Sequence, residues 1–419
     1  MLKVFYNFLI NFFYIPYCLL IYLRKFIGKE HKTKYKEKIF KTNLKKSKEP
    51  MLWFHAASIG EFNSILPLVD HLLNKNEKYN FLISTVTITS FHEFKKKYGE
   101  NKRISHQFLP FDNKYLVKDF LEKWKPNVAS FVDSEIWPNF FLEIKNSNIP
   151  LILINARITK KTFNRWKVVK NFANEIFGCI TLSISSNRET VDFLKFFNVK
   201  NISYFGNIKF CSNINIQKDD FPKLDLKQNT WCAVSTHAGE EMICAKVHSF
   251  IKKSNQKVKT IIIPRHINRV KKIFIELSKM GFKIQIKNQN DSIKNEAEII
   301  LVNYYGSVIK YLKESKNVFI GKSLLKKLKN DSGQNPIDAA KLGCNIFHGP
   351  YVSNFQEIYD YLDNQKISEK IYDEKTLAEK IAQKINLDTK NRLKGQEILS
   401  SYSDQIFKNV IREYEQFIK

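Results

Sequence analysis

From residue 51 onward, short apolar runs alternate with amphipathic stretches, and the whole alternation occurs twice. MLWFHAA at 51–57, then FLISTVT, ISHQFLPF, NVASFVD and PLILINA read as buried strands, with helical periodicity between them. The polar stretch NINIQKDDFPKLDLKQN at 213–229 interrupts the pattern, which restarts with WCAVST, KTIIIP, EIILVN, NVFIG and NIFHGP. Strands separated by helices require parallel sheets with right-handed crossovers. The expected fold class is therefore α/β, with two βα-repeating domains over 49–212 and 230–372 and a linker at 213–229. A polar helical segment, 373–419, is expected to pack back toward the first domain. At 419 residues the chain can bury two cores. It contains neither GxGxxG nor GxxxxGK[ST], the dinucleotide and phosphate-loop signatures.

The N-terminus obeys another rule. Val4–Leu23 is a run of 20 uncharged residues, long enough to cross a hydrocarbon core as a helix. Asn7, Asn11 and Pro16 weaken it as a span, so residues 1–25 read as a membrane anchor that either crosses the bilayer or lies in its plane. The neck that follows, 26–48, is strongly basic; Arg24–Lys48 carries 11 Lys/Arg against two Glu. Such a cluster orients the rest of the chain to the cytoplasm and attracts anionic lipid. The whole chain carries 69 Lys+Arg and 41 Asp+Glu, a net charge of +28 that favours anionic partners. Six scattered cysteines, with no CxxC pair, argue against a zinc site or a disulfide framework and fit a reducing compartment.

Two carboxylates stand where strands give way to helices. Glu61 follows the strand MLWFHAA and opens EFNSILPLVDHLL, while Glu135 follows VASFVDS just before the helix that Pro138 starts. In an open parallel sheet that edge is where ligands bind, so the pair is a candidate for acid–base chemistry. Ser58-Ile-Gly-Glu61 equally fits a capping box, a pattern that Ser90…Glu93 repeats. In the second half, STHAGEE from Ser235 to Glu241, PRH with Arg265 and His266, and SGQNPID leading into another helix form three polar strand ends. A helix N-terminus with an arginine suits a phosphate. The alternatives are a surface ion pair for Arg265, internally satisfied imidazoles for His237 and His266, and a second capping box for Asn335…Asp338.

In this order, WFHAASIGEFNSILPLV, FVDSEIWPN, INARITKKTFNRW, STHAGEE, IIIPRHINR, FIGKSL and GQNPIDAAKLG…FHGPYVSNFQEI resemble the 3-deoxy-D-manno-octulosonic acid (Kdo) transferases of lipopolysaccharide synthesis. The resemblance spans nearly the whole chain and implies a GT-B fold, two Rossmann-like domains facing a central cleft. It implies transfer of Kdo from CMP-Kdo to a lipid A precursor at the inner membrane, with no metal or cofactor. Glu61 would be the general base and Glu135 the second acid, with Ser58, Gly60 and Arg157 on the substrate side. Ser235, Thr236, His237, Glu240, Arg265, His266, Gly333, Asn335 and Asp338 would face the donor nucleotide. The chain departs from the family pattern at Ser332-Gly333-Gln334-Asn335, at Asp338-Ala339, at Asn303–Ser307 and at Lys322, all in the donor half. Two other functions compete: a GT-B transferase of a UDP-sugar, and a membrane-tethered binder of nucleic acid or anionic lipid. Against the binder, +18 remains spread along the chain once the first 48 residues are set aside, with no arginine-rich helix, and no nucleic acid partner is expected.

Overall fold

A computed structural model describes residues 2–42, 49–212, 229–385 and 390–418. The linker expected at 213–229 and the last part of the basic neck, 43–48, lie outside the described residues, apart from Asn229. Two compact units result, Met1–Asn213 with Ser403–Lys419, and Ile214–Tyr402.

Unit 1 is a seven-stranded parallel sheet built from β1 (Met51–His55), β2 (Asn80–Thr85), β3 (Ile104–Phe108), β4 (Val128–Val132), β5 (Leu151–Ala156), β6 (Leu182–Ser185) and β7 (Ile202–Tyr204). The order is β3-β2-β1-β4-β5-β6-β7, so the chain reverses direction across the sheet between β1 and β4. Helices flank both faces, which is why the central strands are continuous apolar runs: every residue of β1, β4 and β5 is buried. Trp53 fills the core under β1, with its ring 4.8 Å from Phe120, 5.1 Å from Phe131 and 5.7 Å from Phe140. Its indole N–H donates to Ser84 Oγ at 2.8 Å, so the one polar atom is satisfied.

The C-terminal helix Lys390–Glu415 returns to this unit in its last turns. Tyr414, fully buried, stacks on Phe54 at 5.6 Å and lies 2.9 Å from Ser130 Oγ, while Glu415 accepts from Lys75 Nζ. The N-terminal helix Leu2–Phe26 also packs on unit 1 through one of its sides. Behind it, Lys34–Lys38 covers the edge strand β3, with Glu37 accepting from Phe108 N–H and Lys34 donating to His106 O. That covering answers the exposed edge a parallel sheet would otherwise present. One sequence expectation is corrected here. The helix Ile88–Tyr98 is capped by Thr87, whose Oγ accepts from Ser90 N–H, and Ser90 is buried inside the first turn instead of forming a box with Glu93.

Unit 2 is also a seven-stranded parallel sheet, built from β8 (Thr230–Thr236), β9 (Lys259–Pro264), β10 (Ile284–Lys287), β11 (Ile299–Val302), β12 (Asn317–Ile320), β13 (Asn345–His348) and β14 (Ser368–Lys370). Its order, β10-β11-β9-β8-β12-β13-β14, places the reversal between β8 and β12. Helix Glu374–Lys384 stays with this unit, its Leu377, Ala378 and Ile381 completing the core around Trp231 and Ile262.

Candidate active site

Both reversals matter, because a crevice opens at the carboxyl ends of strands where neighbouring connections leave in opposite directions. In unit 1, β1 and β4 bring Glu61, Asp133 and Glu135 to that point.

Glu61 fills the capping position and more. It lies in the first turn of helix Ile59–Lys75, which its apolar face (Phe62, Ile65, Leu68, Val69 and Leu72 buried) pins to the sheet. Ser58 Oγ accepts from Glu61 N–H at 3.3 Å and donates back to Glu61 Oε1 at 2.9 Å, while Ala57 N–H donates to Oε2 at 2.7 Å. The box is therefore real, with the carboxylate reaching one residue beyond the usual donor. Burial, and after it the negative charges of Glu135 and Asp133, push this carboxyl up to about 7 against the opposing pull of Ser58 and Ala57. Capping and a raised proton affinity are two properties of one side chain.

Glu135 is tuned the other way. Burial alone would raise it, but His55 and the indole of Trp137 outweigh that and hold it below the usual carboxylate range. Trp137 Nε1 donates to Oε2 at 2.8 Å, and the fully buried His55 sits at 3.6 Å, an ion-pair distance beyond hydrogen-bond range. His55 Nδ1 is in turn 3.0 Å from Ser84 Oγ, which fixes the ring. Two acids whose surroundings drive them apart are a recurrent sign of divided acid–base roles.

Asp133, between them in sequence, adopts a left-handed backbone (φ 56°). Its Oδ2 accepts from Lys209 Nζ at 2.7 Å, and its Oδ1 accepts from Asn155 Nδ2. Asn155 Oδ1 takes the N–H of Ile208, so the end of β5 and the turn Ile208–Cys211 are tied to the same acid. Sequence reading missed Asp133, Lys209 and His55. Lys209 is 76 residues from Asp133, and both Asp133 and Asn155 take a positive φ where the three side chains meet. Arg157 is half-buried at the end of β5 with its N–H on Asp133 O at 3.1 Å, and Gly60 is exposed in the first turn after Ser58.

The helix Pro138–Asn146, immediately after Glu135, has no cap from its own N-cap residue, Trp137. Asp112 supplies one from a distant loop, accepting Asn139 N–H and Phe140 N–H at 3.0 Å each. The third donor to that carboxylate is Tyr6 Oη, at 2.7 Å, from the N-terminal helix. Burial pushes the Asp112 carboxyl up to about 7 against these three hydrogen bonds.

In unit 2 the expected donor-side residues gather at the carboxyl ends of β8, β9 and β12. Ser235 takes a left-handed conformation (φ 56°) and its carbonyl lies 3.1 Å from His237 Nδ1. Burial pulls the His237 imidazole below its usual range, and its ring lies 5.8 Å from that of His266. Arg265 and His266 are exposed, with Arg265 N–H on Thr236 O. Asn335 is exposed and its Oδ1 caps Ile337 N–H at 3.1 Å, while burial raises the carboxyl of nearby Asp338. Gly333 (φ 86°) lies against Val352, where a Cβ would sit 3.0 Å from Val352 Cα.

Two of the donor-side candidates turn inward. Thr236 donates to Glu241 Oε1 at 3.0 Å, and Glu241 receives both terminal nitrogens of Arg269. Glu240, fully buried, accepts from four backbone N–H groups: His237 and Lys322 on Oε2, Ser323 and Leu324 on Oε1. The carboxylate thus moulds the 321–324 loop across the reversal point. Gly321 is required there, since a Cβ would meet Ser235 O and Thr236 Cα at 2.7 Å. Among the described residues no group of three or more His, Cys, Asp or Glu is arranged to hold a metal ion.

Comparison with known proteins bears on this geometry. A family model described as 3-deoxy-D-manno-octulosonic-acid transferase (kdotransferase) matches residues 33–212. A 3-deoxy-D-manno-octulosonic acid transferase of Rickettsia bellii is 30% identical over 372 residues, covering 85% of this chain and 84% of the relative. One from Aquifex aeolicus is 27% identical over 360 residues, covering 85% and 92%. Among solved structures, the UDP-GlcNAc 2-epimerase of Neisseria meningitidis bound to UDP-GlcNAc is similar with a TM-score of 0.59 at 11% identity, over 86% of this chain and 100% of that one. A glycosyltransferase from Rickettsia africae is similar with a TM-score of 0.56 at 12% identity, over 89% and 100%. These structural likenesses establish the fold alone: two parallel-sheet α/β domains of the GT-B type.

Proposed function

This chain belongs to the 3-deoxy-D-manno-octulosonic acid (Kdo) transferase family, and on that premise we propose a donor, an acceptor and a base for its reaction. The donor is CMP-Kdo, and the acceptor is a hydroxyl of the lipid A precursor lipid IVA. The reaction belongs to lipopolysaccharide synthesis at the cytoplasmic face of the inner membrane.

Glu61, ionised, takes the proton of the acceptor hydroxyl as that oxygen bonds to the anomeric carbon of Kdo. The bond from that carbon to the phosphate oxygen breaks, and its electron pair leaves with CMP. The observation that carries this reading is a carboxyl raised to about 7 beside a second held low, at the reversal point of the sheet. A base titrating near the working pH balances availability of the ionised form against strength, and a positioned base contributes typically 10²–10⁴-fold. Burial, and after it Glu135 and Asp133, keeps the proton affinity of Glu61 high, and Lys209, held by Asp133, supplies positive charge beside them. Arg157 serves the acidic sugar. On the nucleotide side, Ser235, His237, Arg265, His266, Gly333, Asn335 and Asp338 contact CMP, whereas Thr236 and Glu240 act through the backbone they shape. A net charge of +28 suits a donor carrying a carboxylate and a phosphodiester.

The test is transfer by the full-length protein from CMP-Kdo, generated in situ, with CMP and UDP as competitors. Inhibition by CMP alone, with Kdo found on the lipid, supports the reading. Inhibition by UDP with no Kdo transferred replaces it with a UDP-sugar donor.

A further inference from the structure

The N-terminal helix Leu2–Phe26 has two unlike sides along its whole length. Val4, Phe8, Phe12, Ile15, Leu19, Leu23 and Phe26, spaced three or four apart, form one row, each between 60% and 79% exposed. The opposite row, Lys3, Tyr6, Ile10, Tyr14, Tyr17 and Ile21, faces unit 1. Lys3 pairs with Glu175 at 3.5 Å, Tyr6 donates to Asp112, Tyr14 to Ile39 O, and Tyr17 stacks on Phe111 at 4.3 Å. Ile21 is buried beside Tyr35 and Ile39. At the far end, Arg24 and Lys38 share the buried carboxylate of Glu30.

We infer that this helix lies in the plane of an anionic bilayer as a fixed part of unit 1 and does not cross it. The inference rests on the membrane location proposed above and specifies its geometry. The docked row runs from Lys3 to Ile21, about 27 Å of helix, nearly the full thickness of a hydrocarbon core. Crossing with these contacts kept would drag Asp112, Glu175 and their neighbours into hydrocarbon, where ionisable groups are costly. Crossing with the contacts broken would strand Asp112, 1% exposed, without Tyr6 and uncover Phe111 and Phe172. In-plane binding keeps every contact and buries only the outer row. The exposed lysines of the neck, Lys29, Lys32, Lys36 and Lys41, then meet anionic headgroups.

The experiment places single nitroxide labels at positions 4, 8, 15 and 19 of the full-length protein carrying Cys18→Ser, on phosphatidylethanolamine/phosphatidylglycerol vesicles. The other five cysteines are buried. Label depth is read from oxygen and nickel accessibility. An in-plane helix gives four similar shallow depths, about 5–10 Å below the headgroups. A spanning helix separates positions 4 and 19 by about 22 Å and overturns the inference. Labels that remain as water-accessible with vesicles as without overturn it too. Neither outcome depends on donor, acceptor or turnover, so a failure here is distinct from a failure of the proposed reaction.

Discussion

Replacing Glu61 by Gln separates the two properties of that side chain. The amide oxygen can accept Ala57 N–H and the amide nitrogen can donate to Ser58 Oγ, so the cap at helix Ile59–Lys75 survives. What disappears is the ionised carboxylate. Raising this carboxyl from 4.5 to about 7 means the ionised form costs the fold about 3 kcal/mol, which solvent at this half-buried group trims to about 1–3 kcal/mol. Because the folded-state value lies above the unfolded one, the folded state binds more protons between pH 4.5 and 7. Stability is therefore lost as pH rises through that window and the cost is fully present above it. Glu61→Gln is expected to raise the melting temperature of unit 1 at pH 8, at about 2–4 °C per kcal/mol, and to change it little at pH 5. Transfer activity falls by 10²–10⁴-fold. Ser58→Ala does the reverse, costing about 1 kcal/mol of stability while leaving most of the activity. Thermal melts at the two pH values and a transfer assay on both variants suffice. Equal stabilisation at pH 5 and 8, or activity within tenfold of wild type in Glu61→Gln, would refute the reasoning.

Three further outcomes follow from the same geometry. Lys209→Met takes the cation from Asp133, whose side chain is 13% exposed, so unit 1 loses about 1–3 kcal/mol and transfer drops at least 100-fold, read by melting and by product formation. Glu240→Gln turns an amide nitrogen toward two backbone N–H donors; CMP binding, measured by calorimetry, weakens at least tenfold as the 321–324 loop shifts. Tyr6→Phe removes a hydrogen bond that Asp112 accepts best when ionised. The loss, about 1–2 kcal/mol, is largest above pH 7 and shrinks below it, with faster amide exchange at Asn139 and Phe140 as the local marker.

The central strands were legible because burial on both faces leaves little but apolar residues, as in VASFV and LILIN. β6, β7, β10 and β14 escaped notice: at three or four residues each, they carry no run long enough to read. Glu61 was visible as the fourth residue of Ser-x-x-Glu, and the structure shows that capping and a raised proton affinity coexist there. The remaining site groups were hidden because their meaning is pairwise. Asp133 and Lys209 meet across 76 residues, and Asp112 joins Tyr6 to the helix after Glu135 across 106. Glu240 was visible as an acid at a strand end, but three of its four backbone donors come from a loop more than 80 residues away. Both rows of the N-terminal helix carry aromatic and aliphatic residues, so periodicity alone did not distinguish a span from a surface helix.

The pH dependence of kcat/KM for Kdo transfer by the wild-type protein tests the role of Glu61 most directly. The account predicts a plateau above about pH 7 and a tenfold fall per pH unit below it, with that limb absent from the residual activity of Glu61→Gln. A profile that stays flat from pH 5 to 8 would contradict it.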